Sequence, residues 1–192
     1  MKGSSVLKPP VAVSLGLLIL LIIGCSQKKG VTGRVKSEVP EVKAILIEQL
    51  KNSHSNKDWY VPISIAIDGL TAEQANHKDS TGNHSISELV SHLVFWNERI
   101  LFWFHDEKAP EFNDDNELTF MTFSEAEWES SVRKLDSIQT VWEKSVESAT
   151  DEQLRKWSSS VANISAHNAY HTGQIVYIRK QNGWWDASKG VK

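Results

Sequence analysis

Ile164-Ser-Ala-His167-Asn-Ala-Tyr-His171-Thr-Gly-Gln174-Ile-Val-Tyr-Ile-Arg179 is the stretch that decides how this chain folds. Ile164, His167, His171, Ile175 and Ile178 recur at three- and four-residue spacing. At about 100° per residue they share one side of an α-helix, so both imidazoles lie inside the apolar stripe. Gly183 supplies the stop, and the spacing predicts a helix over 161–182.

Three further long helices are expected around it. Ser85-Ile-Ser-Glu88 has capping-box form and opens an apolar pattern that runs to about residue 105. Leu89, His92, Trp96 and Trp103 share its stripe. Ser124-Glu-Ala-Glu127 opens another, with Trp128, Val132, Leu135, Val141, Trp142 and Val146 facing inward. Val39, Val42, Ile45, Leu46 and Leu50 predict a first helix over 38–53. The segment 62–68 is ambiguous: Ile63, Ile65 and Ile67 alternate like a strand, while Pro62 and Gly69 suit a short helix. Thr71-Ala-Glu-Gln74 offers one more capping box for a short turn. Residues 106–123, with Pro110 and the acidic run around Asp114-Asp115, read as a long connection. The fold class expected is all-α: a four-helix bundle with a long connection between its second and third helices.

Buried imidazoles need partners, since an unsatisfied polar group inside a protein costs about 1–3 kcal/mol. His167 and His171, four residues apart on one helix face, can chelate one divalent ion, and a third His from a facing helix would complete a three-nitrogen site. His92 is that candidate. Three protein ligands leave a position open for water or substrate, as in catalytic metal sites. The alternative from spacing alone is a set of core histidines bonded to carbonyls or carboxylates.

The last helix, with His-x3-His-x2-Gln followed by Arg179 and Gly183, resembles that of the DinB-like (DinB/YfiT) family. Ser85-Ile-Ser-Glu-Leu-Val-Ser-His92-Leu-Val-Phe-Trp96 resembles the family's second helix with its single His, and Gly69-Leu-Thr-Ala-Glu-Gln-Ala75 resembles a run that precedes it. The resemblance covers about residues 38–186. It implies a four-helix bundle holding a divalent metal, commonly zinc or nickel, on His92, His167 and His171. It also implies an enzyme of small molecules: thiol transferases, in which the metal makes a thiolate nucleophile, or hydrolases, in which water is the nucleophile.

Two further residues are candidates for catalysis. Glu88 stands one turn before His92 and is either a general base or fourth ligand, or the cap of its own helix. Gln174 lies one turn beyond His171 and either orients a ligand or bound water, or stands on the surface. Arg99 returns to the His92 stripe and either grips an anionic substrate or reaches solvent. His54, His77, His84 and His105 fall in loops, at helix ends or off the stripes, and are expected to be solvated.

The N-terminus reads differently. Lys2 and Lys8 precede the apolar run 11–23, and Ile22-Ile23-Gly24-Cys25 resembles a bacterial lipobox, at which the leader is removed and the Cys sulfur is diacylated. The single Cys of the chain stands at the one position where that chemistry needs a thiol. The expected organisation is a signal peptide at 1–24, a lipidated Cys25 and flexible tether at 25–37, the bundle at 38–186 and a tail at 187–192. The protein is then held on the membrane of the cell envelope, outside the cytoplasm, by the lipid on Cys25.

The remaining composition narrows the functional classes. The chain has 192 residues, 40% of them apolar, and a formal net charge of −3, so nucleic acid is not an expected partner. One Cys excludes a disulfide framework and a Cys-rich zinc ribbon. No His-Glu-x-x-His, Gly-x-Ser-x-Gly, phosphate-binding loop or dinucleotide fingerprint is present. The partners expected are a small-molecule substrate, the membrane and, as an open alternative, a second copy of the chain in a homodimer. The rival to an enzyme is a surface-tethered binding module whose metal is structural or lost.

Overall fold

In the computed structural model, residues 39–80 and 82–191 are described, with side chains from residue 41 onward. The expected signal peptide, the lipidated Cys25 and the tether lie outside them. The described residues form α1 (Val39–His54), α2 (Ile63–Ile67), α3 (Ala72–Asn76), α4 (Ile86–Phe104), α5 (Glu125–Ser148) and α6 (Asp151–Gln181), with no strand among them. The four long helices form the bundle: α1 and α4 each pack against both α5 and α6. No helix among the described residues is long and apolar enough to cross a membrane.

The helix starts follow from local chemistry. Thr71, Ser85, Ser124 and Thr150 each occupy an N-cap with Gln or Glu three residues on, and each closes a capping box. The Thr150 box moves the start of the last helix about ten residues ahead of the expected 161, because Thr150-Asp-Glu-Gln153 caps a turn whose apolar stripe is thin. The ambiguous 62–68 segment resolves as one helical turn that buries Ile63, Ala66 and Ile67. Gly69 and Gly183 end their helices at φ +73° and +72°, a region that favours glycine.

Two apolar clusters divide the interior. One gathers Ile63, Ile86, Leu89, Leu93, Trp128 and Ile175; the other gathers Leu46, Leu50, Phe104, Trp142, Val161 and Ile164. Between them in sequence on α4 and α6 lie Asn97 and Asn168, both buried. Each carboxamide donates to the other: Asn97 Nδ2 to Asn168 Oδ1 at 2.8 Å, and Asn168 Nδ2 to Asn97 Oδ1 at 3.1 Å. Trp142 Nε1 donates to the Asn97 carbonyl at 3.0 Å, which ties α5 to the same point. Arg179 ties α6 to α2 and to the segment after α6, donating to the carbonyls of Ala66, Asp68 and Trp184.

Replacing Asn168 by Leu strands the Asn97 Oδ1 and one of its two amide N–H groups, the other staying on the Leu93 carbonyl, and should destabilise the protein by about 1–3 kcal/mol. Replacing both by Leu should recover part of that loss, as read from urea unfolding midpoints. An Asn168→Leu protein as stable as the wild type would mean that the amide pair does not hold α4 to α6.

Candidate metal centre

His92 projects from α4, and His167 and His171 from successive turns of α6. Their ring nitrogens converge: His92 Nε2 stands 3.1 Å from His167 Nε2, which stands 3.0 Å from His171 Nε2. Each of the three offers one ligand atom within 4.8 Å of the others. Three nitrogens bound at 2.0–2.1 Å to a tetrahedral ion stand roughly 3.3 Å apart, so the spacing is close to that of a metal face.

The outer nitrogens fix which way the lone pairs point. His92 Nδ1 lies 2.6 Å from Thr119 Oγ1. Thr119 spends its own hydroxyl proton on the Asn116 carbonyl at 2.7 Å, so it accepts from His92 Nδ1–H. Similarly, His171 Nδ1–H donates to the Gln174 carbonyl oxygen at 2.6 Å, since Oε1 is only an acceptor. Both neutral rings therefore turn an unprotonated Nε2 inward, and only His167 remains to carry a proton there. Such a set of converging lone pairs fits a divalent cation.

Electrostatics favour the neutral rings. Burial, with the neighbouring imidazoles of His167 and His171, pushes the His92 pKa down to about 3. Burial and then His171 push His167 down to about 4. Burial also lowers His171, although its hydrogen bond to Gln174 works the other way.

The triad is walled by aromatic rings and by the 106–123 connection. Thr119 belongs to a 3-10 turn at Asn116–Thr119, held by Ser91 Oγ on the Thr119 carbonyl and by Trp96 Nε1 on Asn116 Oδ1. Phe120 stacks on His92 at 4.2 Å and on His84 at 3.7 Å. On its other side the triad opens into a cavity of about 460 Å³, lined by His92 and His167 with Trp96, Ile100, Ser160 and Asn163 among others.

A family model described as the DinB superfamily matches residues 63–175. The chain belongs to that superfamily. The matched segment contains all three histidines, Glu88 and Gln174, and stops short of Arg179. No curated protein and no solved structure gives a match to the chain.

The other expected site residues are placed as follows within this DinB-superfamily bundle. Glu88 stands outside the group of converging donor atoms. Its Oε2 accepts the Ser85 N–H at 2.7 Å and its Oε1 accepts Lys78 Nζ at 2.9 Å. Burial works to raise its pKa, but the bonds from Ser85 and Lys78 outweigh it and hold the carboxyl below its usual range. Those are the contacts of a helix cap. Arg99 donates to the Pro110 carbonyl at 2.7 Å and lies over the rings of Phe95, Trp103 and Phe112, so it secures the long connection and does not line the cavity at the triad.

The expectation that the remaining histidines are solvated fails for His54; His77 and His105 are exposed and His84 is half-buried. His54 is buried, with its two ring nitrogens 2.9 Å from Asp136 and 2.6 Å from Glu143 on α5. His105 bonds Ser145, His77 meets Trp184 edge-on, and His84 stacks on Phe120. Each lies at or beyond a helix end, where periodicity does not say what the neighbouring element covers. Thr119 carried no signal in the sequence, because it sits in an aperiodic connection.

Gln174→Ala and Thr119→Val each remove an acceptor that aims a ligand, and each should weaken zinc binding by about 10–100-fold in competition with a chelator. Unchanged affinity in both would show that the two acceptors do not tune the site. In the metal-free protein the imidazoles stay neutral while unfolded-chain histidines, near pH 6.5, take protons. The unfolded state then binds more protons, so stability should fall as pH drops from about 6.5 towards 4. The urea midpoint reads this, and the fall should shrink in His92→Gln.

Proposed function

We propose that this protein is a metal-dependent enzyme, tethered in the cell envelope, that acts on a small molecule as a hydrolase or thiol-type transferase. The observation that carries the reading is the opening of the His92–His167 edge of the three-His cluster onto a cavity. A metal serving only the fold needs no such access, so the opening favours catalysis over a structural role.

His92, His167 and His171 would hold the metal, with zinc or nickel suited to an all-imidazole set. A divalent ion there would supply Lewis acidity and lower the pKa of a water or thiol that reaches it. Gln174 and Thr119 keep two of the rings in the tautomer that binds metal. Trp96, Ile100 and Ile164 exclude water from one side of the cavity, while Ser160, Asn163 and Asn116 offer hydroxyl and amide groups to orient a substrate.

The tether rests on the sequence 1–25: the basic start, the apolar run and the lone Cys25 in a lipobox-like setting. Acyl chains on that sulfur place the bundle outside the cytoplasm, where the scarcity of cytoplasmic thiols favours hydrolysis over thiol transfer.

Three measurements test these claims. Metal analysis of the full chain should find about one equivalent of zinc or nickel, and His171→Ala should lose it. Metal-loaded protein should turn over a member of an ester, amide, epoxide and thiol-acceptor panel, with Trp96→Ala raising KM. Metal uptake that raises the melting temperature without any turnover would support the binding-module alternative. Labelling of growing cells with a palmitate analogue should tag the protein, and Cys25→Ser should abolish the tag. A labelled Cys25→Ser protein would remove the lipid anchor from the proposal.

A further inference from the structure

The outer face of α6 carries a repeat. Tyr170 and Gln174 are followed, seven residues on, by Tyr177 and Gln181. Seven residues make nearly two turns, so the equivalent side chains share one face about 10.5 Å apart along the axis, at about 1.5 Å per residue. Both phenols are exposed, at 65% and 61%. In each couple the Gln amide donates to the phenol oxygen four residues earlier, at 3.4 Å for Gln174 and 2.9 Å for Gln181.

Together the couples line one wall of a cavity of about 630 Å³, distinct from the one at the His92–His167 edge. The opposite wall brings His77, Lys78 and His84. Lys78 has its charge matched by Glu88 at 2.9 Å, and Asp79 is itself partnered. The α6 residues that face the cavity, Tyr170, Gln174, Tyr177, Ile178 and Gln181 among them, are all neutral. Each phenol keeps its O–H to donate, and Gln181 keeps its carbonyl oxygen to accept.

We propose that this groove binds a neutral oligosaccharide, with the Tyr170–Gln174 and Tyr177–Gln181 couples engaging sugars at separate positions along it. A sugar hydroxyl is at once donor and acceptor, and a phenol beside a carboxamide presents both. The C–H face of a pyranose packs on an aromatic ring, and two exposed tyrosines in register supply two such rings. An anion would meet no unmatched cation on the α6 wall, and an apolar ligand would strand the amides. The spacing of the couples exceeds a single pyranose, which points to a chain of sugars.

The test is calorimetric titration of the full chain, in a detergent without a sugar headgroup, with tetra-N-acetylchitotetraose, cellotetraose and glucose. At least one tetrasaccharide should bind, more tightly than glucose. Tyr177→Ala and Gln181→Ala, neither of which touches the triad, should each weaken it by about tenfold. Helical circular dichroism and metal content should stay unchanged, which separates this site from the metal centre. Absence of heat and of saturation-transfer signal with both tetrasaccharides overturns the proposal. So does binding that survives both substitutions, or binding of an oligoproline peptide in their place.

Discussion

Two buried carboxamides, Asn97 on α4 and Asn168 on α6, each donate an N–H to the other's carbonyl between the two apolar clusters. Hydrocarbon contacts would let two helices slide or turn past one another at modest cost. A reciprocal amide pair is satisfied at one register only, and a mismatch leaves buried donors and acceptors unpaired. That register sets His92, five residues before Asn97, against His167 and His171, on either side of Asn168. The indole of Trp142 on the Asn97 carbonyl brings α5 to the same point. The amide pair and the histidines' own contacts together hold the three rings in place.

With the helices fixed, the histidines face each other with lone pairs inward, an arrangement that repels unless a proton or a cation sits among them. Thr119 and Gln174 keep it so by accepting the outer N–H groups of His92 and His171. Burial adds to the effect by resisting protonation. The cluster thus combines converging donors with an aromatic ring, Phe120, on one side and a cavity at Trp96 and Ile100.

Charged residues near the site serve the scaffold. Glu88 caps α4, Arg99 pins the long connection through Pro110, and Arg179 gathers carbonyls from α2 and the C-terminal segment. Their side chains are spent largely on backbone groups, and the groups that face the triad's cavity are neutral. His54, between Asp136 and Glu143, bridges α1 to α5 in the same way.

Helix starts at Thr71, Ser85 and Ser124 were legible in the sequence because a capping box closes within three residues. The Thr150 box was equally legible, but the thin apolar stripe after it drew the expected start to 161. The segment 62–68 stayed ambiguous because five or six residues are too few to separate a period of two from one of 3.6. His167, His171 and Gln174 could be grouped because i, i+3 and i+4 neighbours share a helix face whatever else the chain does. The sequence by itself therefore determined the four long helices, their buried stripes and the paired histidines on the last. His92 was a candidate third member from its stripe and from a resemblance; that its ring meets the other two needed the packing of α4 against α6. Tertiary structure alone decided that Thr119 supports His92, that Glu88 caps its helix, that His54 is buried and that a cavity opens beside the triad. Periodicity carries the face on which a side chain lies, and packing between distant segments decides what that face meets.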